Sequence, residues 1–112
     1  MLLRENAPLR EYCSMRVGGP AKLAAFLERA EELASLLGAG GRRVVLGGGS
    51  NVLFPDEGYD GTVIFTTKLC RLSADGCVLS AQAGVTLSAL ARKALDCGLG
   101  GLAFAYGIPG SV

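Results

Sequence analysis

The sequence predicts an α+β fold of short strands, one tight hairpin and two amphipathic helices, without a repeating βαβ unit. Two helical stripes and several short apolar runs bounded by glycine-rich turns carry that expectation. Residues 1–20 read as loop, closing on a chain reversal at Val17-Gly18-Gly19-Pro20. Lys22–Glu28 reads as a strand with Leu23, Ala25 and Leu27 on one side. Ala30, Leu33, Ala34 and Leu37 then follow the i, i+3, i+4, i+7 spacing of a helix with one buried face. Glu31 and Glu32 suit the positive end of that helix, and Gly38 suits a left-handed stop. Val44–Leu46 and Thr62–Thr67 are the next strands, joined by a connection of about fifteen residues, a length that is often functional.

Cys70–Ser73 and Cys77–Ala83 form a hairpin around Asp75-Gly76. A second helix carries Leu87, Leu90, Ala91, Ala94 and Leu95 on one face, with Thr86 as N-cap and Gly98 as its stop. These stripes are core packing. The last sixteen residues, 97–112, hold no charged side chain and contain a second glycine-rich loop, Gly107-Ile108-Pro109-Gly110-Ser111.

Composition removes several functional classes. The 112 residues amount to at most one domain, which buries roughly two-thirds of its unfolded surface. Eleven basic and ten acidic residues leave a net charge of +1, with no basic face for nucleic acid. Tryptophan is absent, so base-stacking platforms are not expected. Arg4, Glu5, Arg10 and Glu11 exclude a secretory signal at the start. No apolar run approaches the ~18 residues of a membrane span, so a cytoplasmic location is expected. Cys13, Cys70, Cys77 and Cys97 lack Cys-x-x-Cys spacing, and there is no histidine to complete a zinc site. They are expected to be free and mostly buried thiols, and no metal site or catalytic residue is expected in the chain.

Seventeen glycines are about twice the usual share, and three stand together in Val44-Val45-Leu46-Gly47-Gly48-Gly49-Ser50-Asn51-Val52-Leu53. Glycine weakens a strand, so a triplet at a strand exit points to close approach of main chain to something. Successive bare amides can form a concave anion-binding nest, with Ser50 and Asn51 adding side-chain donors. No lysine follows before Lys68, which excludes a mononucleotide P-loop. Val52-Leu53-Phe54-Pro55 excludes the small residue and helix of a Rossmann fingerprint. A phosphorylated cofactor and a ligand-free strand corner both remain open on the glycines alone. In the second loop, proline fixes the backbone while the flanking glycines permit close approach to a ligand.

Four segments together resemble the bacterial UDP-N-acetylenolpyruvoylglucosamine reductase family, the MurB flavoenzymes. They are Met15–Ala21, Val45–Leu53, Ala83-Gly84-Val85 opening a helix, and Gly101–Val112. The resemblance implies an FAD-binding domain of the p-cresol methylhydroxylase/vanillyl-alcohol oxidase type, with the dinucleotide extended between two small α+β subdomains. Residues 1–67 would be the first subdomain and 68–112 the incomplete beginning of the second, with the substrate-binding domain absent. Gly47, Gly48, Gly49, Ser50 and Asn51 would hold the FAD pyrophosphate. Gly107, Ile108, Pro109, Gly110 and Ser111 would line the flavin and pyrophosphate from the other side.

The implied activity is NADPH-dependent reduction of UDP-N-acetylglucosamine enolpyruvate to UDP-N-acetylmuramate in peptidoglycan synthesis. The family's serine acid, and the arginine and glutamate that stabilise developing charge, lie beyond the counterpart of Val112. The chain is therefore expected to be an N-terminal fragment that is not catalytic alone. Its apolar surface is expected to promote self-association. Arg16 reads as a phosphate contact or a solvated arginine, Tyr106 as a flavin neighbour or a half-buried tyrosine. The alternatives are the FAD domain of another oxidase of the same superfamily and a cofactor-free binding or assembly module.

Overall fold

The computed structural model describes residues 1–38, 40–49 and 52–112. Strands β1 (Leu2–Pro8), β2 (Pro20–Phe26), β3 (Arg43–Leu46) and β4 (Tyr59–Phe65) make one sheet in the order β1-β2-β4-β3. β1 is antiparallel to β2, whereas β2 and β3 each run parallel to β4. Helix α1 (Glu32–Gly38) lies between β2 and β3 in sequence, so one βαβ crossover is present. Strands β5 (Leu72–Asp75) and β6 (Val78–Ala81) form a separate antiparallel hairpin, followed by helix α2 (Leu87–Asp96).

β4 is one of the two inner strands, and its end Val63-Ile64-Phe65 with the following Thr66 is buried continuously, as expected for a parallel strand covered on both faces. Alternation sends Val63 and Phe65 into an aromatic cluster with Ala24 and Phe26, while Ile64 joins Leu27 and Leu69 on the other side. Leu33 and Leu36 of α1 cover that second side. The inward edge of α1 is thus Leu33/Leu36; Ala34 and Leu37 of the expected stripe are exposed. A register shift between Ala21 and Leu23 puts Ala21 on the same side as Ala24 and Phe26.

Several sequence expectations are corrected. Residues 2–8 are a strand and not loop, because β1 is an edge held by its backbone ladder to β2 while most of its side chains face solvent. Its hydrophobic pattern consequently gave no period. The chain reverses at Cys13–Arg16, where Arg16 N–H donates to the Cys13 carbonyl at 3.2 Å and Arg16 adopts φ 52°. Gly19 serves close approach instead, since a Cβ there would strike the Asp56 carbonyl.

Gly38 is the last residue of α1, and the left-handed residues are Gly40 and Gly41. The hairpin turn is Gly76-Cys77, one residue later than expected, with Gly76 at φ 60°. Of the four free thiols only Cys13 is buried. Cys77 and Cys97 sit at a turn and a helix end, where packing is thin. Thr86 caps α2 by accepting from Ala89 N–H at 3.1 Å, and Gly98 follows that helix with φ 70°.

Among the described residues, no helix is long and apolar enough to cross a membrane. No three potential ligating side chains gather as a metal site among them.

Candidate functional site

The glycine triplet leaves the carboxyl end of β3, the end at which open α/β sheets hold ligands. Thr66 fixes this exit: its N–H and its hydroxyl both donate to the Leu46 carbonyl, at 3.0 and 3.3 Å. Beyond the triplet, Phe54 plugs into the aromatic cluster, and the Pro55 carbonyl accepts from Gly19 N–H at 2.9 Å and Gly58 N–H at 3.0 Å. The long connection is therefore anchored at both ends.

The second glycine-rich loop is held by the N-terminus of α2. Leu87 N–H donates to the Gly110 carbonyl at 3.1 Å and Val112 N–H to the Val85 carbonyl at 2.9 Å, on either side of a bridge between Thr86 and Ser111. Gly107 N–H donates to the Ser88 hydroxyl at 3.3 Å.

These two loops, about sixty residues apart in sequence, face each other across a cleft of about 290 Å³. Gly47, Gly48, Gly49, Pro109, Gly110 and Ser111 line it, flanked by Leu46 and Val52. Sequence reasoning passed over Leu46 and Val52; their only signal was to flank the triplet. Gly107 and Ile108 lie outside the lining, and Ser50 and Asn51 fall outside the described residues.

The three glycines differ. A Cβ on Gly47 would stand 2.6 Å from the Ser111 hydroxyl oxygen, so bare backbone is what lets the two loops meet. Gly48 has open space beside it. Gly49 is at φ 77° with its Cα against the Tyr12 carbonyl, and its own carbonyl accepts from Ser14 N–H at 3.0 Å.

No side chain lining the cleft is charged. The amides of Gly47, Gly48, Gly49, Gly110 and Ser111 donate no hydrogen bond to another described residue. Free N–H groups on two facing loops suit the oxygens of a diphosphate, which such nests satisfy without lysine. The positive end of α2, next to Ser111, adds to the same potential. An uncharged cleft lined by glycine backbone and an all-amide donor set fit the phosphate portion of a dinucleotide.

Arg16 is exposed and outside this cleft. Tyr106 borders a different, apolar groove of about 370 Å³ formed with Ala91, Ala94, Leu95, Leu99 and Leu102. Arg92 is the one charged side chain in its lining, and Leu95 and Tyr106 stand exposed at it.

Comparison with known proteins agrees with the geometry. A family model described as FAD binding domain matches residues 21–112. The UDP-N-acetylenolpyruvoylglucosamine reductase of Caldicellulosiruptor bescii is 39% identical over 112 residues, covering 96% of this chain and 36% of that protein. Its counterpart in Trichlorobacter lovleyi is 41% identical over 111 residues, covering 96% and 37%. The crystal structure of UDP-N-acetylenolpyruvylglucosamine reductase (MurB) from Thermus caldophilus superposes with a TM-score of 0.76 at 34% identity, covering 96% of this chain and 39% of that one. The chain spans little more than a third of the length of these relatives. With most of its length matched, it belongs to the FAD binding domain family, in the stretch shared with the UDP-N-acetylenolpyruvoylglucosamine reductases.

Proposed function

We propose that this chain is the FAD-binding portion of a UDP-N-acetylmuramate dehydrogenase. The complete enzyme would use NADPH to reduce UDP-N-acetylglucosamine enolpyruvate in the cytoplasm. The observation that carries this reading is the meeting of Gly47–Gly49 with Pro109–Ser111 across one uncharged cleft. Backbone N–H groups of both loops hold the FAD diphosphate, with Ser50 and Asn51 completing the first loop and Gly107 and Ile108 extending the second toward the flavin. Bound FAD supplies the hydride-transfer chemistry. The residues of this chain bind and orient the cofactor.

The binding unit divides into residues 1–67 and 68–112. Support for the division comes from a four-stranded sheet that ends at Phe65 and a hairpin that begins at Leu72. The partners are small molecules, the cofactor and the UDP-sugar, with neither nucleic acid nor membrane. Self-association of the isolated chain is part of the same proposal. It is supported by the exposure of Leu95 and Phe104, each 72%, and Tyr106, 63%.

Titration of the chain with FAD, followed by flavin fluorescence, tests the binding claim. Saturable quenching is expected, weakened about tenfold or more by Gly48→Asp, which sets a carboxylate against the diphosphate (about 1.4 kcal/mol per tenfold). Absence of quenching at high micromolar protein overturns it. In the full-length protein, NADPH should bleach the flavin and the UDP-sugar should accelerate turnover; bleaching by an alcohol or phenol substrate instead would favour the oxidase alternative.

A further inference from the structure

The glycine loop does not hold its own position. Gly49 is pressed against the Tyr12 carbonyl and the Cys13 Cα, the latter 2.9 Å from where a Cβ would be, and is tied by its carbonyl to Ser14 N–H. Residues 12–14 are thus the floor on which the end of the triplet rests. Tyr12 closes a single 3₁₀ turn, Leu9–Tyr12, anchored by a side chain at each end. Leu9 is completely buried. Tyr12 supplies the other anchor, with ring centroids 5.4 Å from Phe26 and 5.1 Å from Phe65. Its hydroxyl accepts from the Arg4 guanidinium at 2.5 Å, and the same Arg4 nitrogen reaches Glu11 at 3.1 Å.

We propose that Tyr12 is a positioning residue for the phosphate cradle: its ring, wedged on Phe26 and Phe65, sets the height of the Tyr12–Ser14 backbone and so of Gly49 and the free amides before it. Its effect on cofactor affinity rests on the reading that this cleft takes FAD; its effect on the loop does not. Tyr12 does not itself line the cleft; it packs on the same aromatic cluster as the cleft-lining Leu46 and Val52, and its backbone meets Gly49 directly. Misplacing a binding loop by an ångström through a remote substitution is enough to lose affinity substantially.

The test compares Tyr12→Ala, Tyr12→Leu and Tyr12→Phe in the 112-residue chain by backbone amide spectra, thermal melting and FAD titration. Tyr12→Ala is expected to move the amide resonances of Gly47, Gly48 and Gly49, leave those of Leu79 and Ala81 in the hairpin unchanged, and weaken FAD binding by roughly tenfold. Tyr12→Leu keeps part of the wedge and gives smaller shifts of the same sense if the alanine variant does not fold. Tyr12→Phe keeps the ring and restores both loop position and affinity to near wild type. Ile64→Val, in the separate cluster under α1, controls for general loss of stability and should lower melting without moving the glycine amides. Glycine resonances that stay in place in Tyr12→Ala and Tyr12→Leu, or that Ile64→Val moves equally, overturn the inference. If wild-type chain binds no FAD, the functional reading falls, and the amide spectra still decide the role of Tyr12.

Discussion

Gly49, at φ 77° against the Tyr12 backbone, and Gly48, with nothing beside it, separate folding from binding within three residues. Gly49→Ala forces a left-handed alanine into a backbone contact. It should destabilise the chain by about 1–3 kcal/mol in denaturant melts. Gly48→Ala should leave those melts nearly unchanged while weakening flavin quenching, because Gly48 lines the cleft and a Cβ there meets no described protein group within 4 Å. Equal loss of stability in both variants would show that the triplet is only a packing corner.

Charge at the chain start gives a second prediction at this scale. The Met1 ammonium lies 2.7 Å from Glu32 and 3.7 Å from Glu28. The same Glu32 carboxylate accepts from Glu28 and Arg29 N–H, at 3.0 and 2.6 Å. The hydrogen bond from Met1 is the main cause holding the Glu32 carboxyl below its ordinary 4.5, with the backbone donors adding to it against partial desolvation. The bond to Glu32 likewise raises the ammonium above 8.0. A depressed carboxyl contributes stability above its unfolded value and loses it as pH falls through the lower folded one. A raised ammonium contributes fully below its unfolded value and loses it as pH rises through the higher folded one. The melting temperature should therefore be flat between 4.5 and 8.0 for this pair and fall on both sides. Acetylating Met1 should remove the alkaline limb; an unchanged alkaline limb would show that the pair contributes nothing there.

At the scale of elements, α2 has two duties. Its N-cap satisfies Ala89 N–H, and the same Thr86 pairs with Ser111 on the second glycine loop. Thr86→Ala should cost about 1 kcal/mol of stability through the lost cap, and flavin affinity should fall with it because the loop is hung on that turn. A cap loss with unchanged affinity would detach α2 from the site. Elements also explain why prediction succeeded unevenly. α2 carries its cap, stripe and stop within the thirteen residues from Thr86 to Gly98, so local chemistry suffices to define it. α1 is seven residues long, and the side it buries is chosen by Ile64 of the sheet with Leu27 and Leu69 just beyond its strands. β1 is defined by pairing with β2, and an exposed edge leaves almost no mark on side-chain pattern.

The whole molecule is elongated, 47 × 30 × 17 Å, with a radius of gyration of 15.7 Å; about 13 Å is usual for a globule of this length. The four-stranded sheet and the hairpin–α2 unit meet where Gly84 packs against the Thr66 and Leu69 carbonyls and Gly84 N–H donates to Leu69 at 2.8 Å. An elongated chain leaves apolar side chains such as Leu95, Phe104 and Tyr106 in water. Light scattering should accordingly show mass rising with concentration, and a Leu95→Glu/Tyr106→Glu double variant should shift it toward monomer. A concentration-independent monomer would refute self-association.

The sequence by itself determined the residue types at the candidate cleft: bare amides at a strand exit, no lysine, no histidine, and a second stiff glycine loop. It also determined α2 and the existence of the hairpin, though not its turn, which falls one residue later, because caps and period-two alternation act over a few residues. Only the tertiary structure decided that Gly47 meets Ser111, that Gly49 leans on Tyr12, and that Cys70, Cys77 and Cys97 face solvent. Those are contacts between distant segments, fixed by strand order and by which side of a sheet is covered, and no local pattern of residues encodes either.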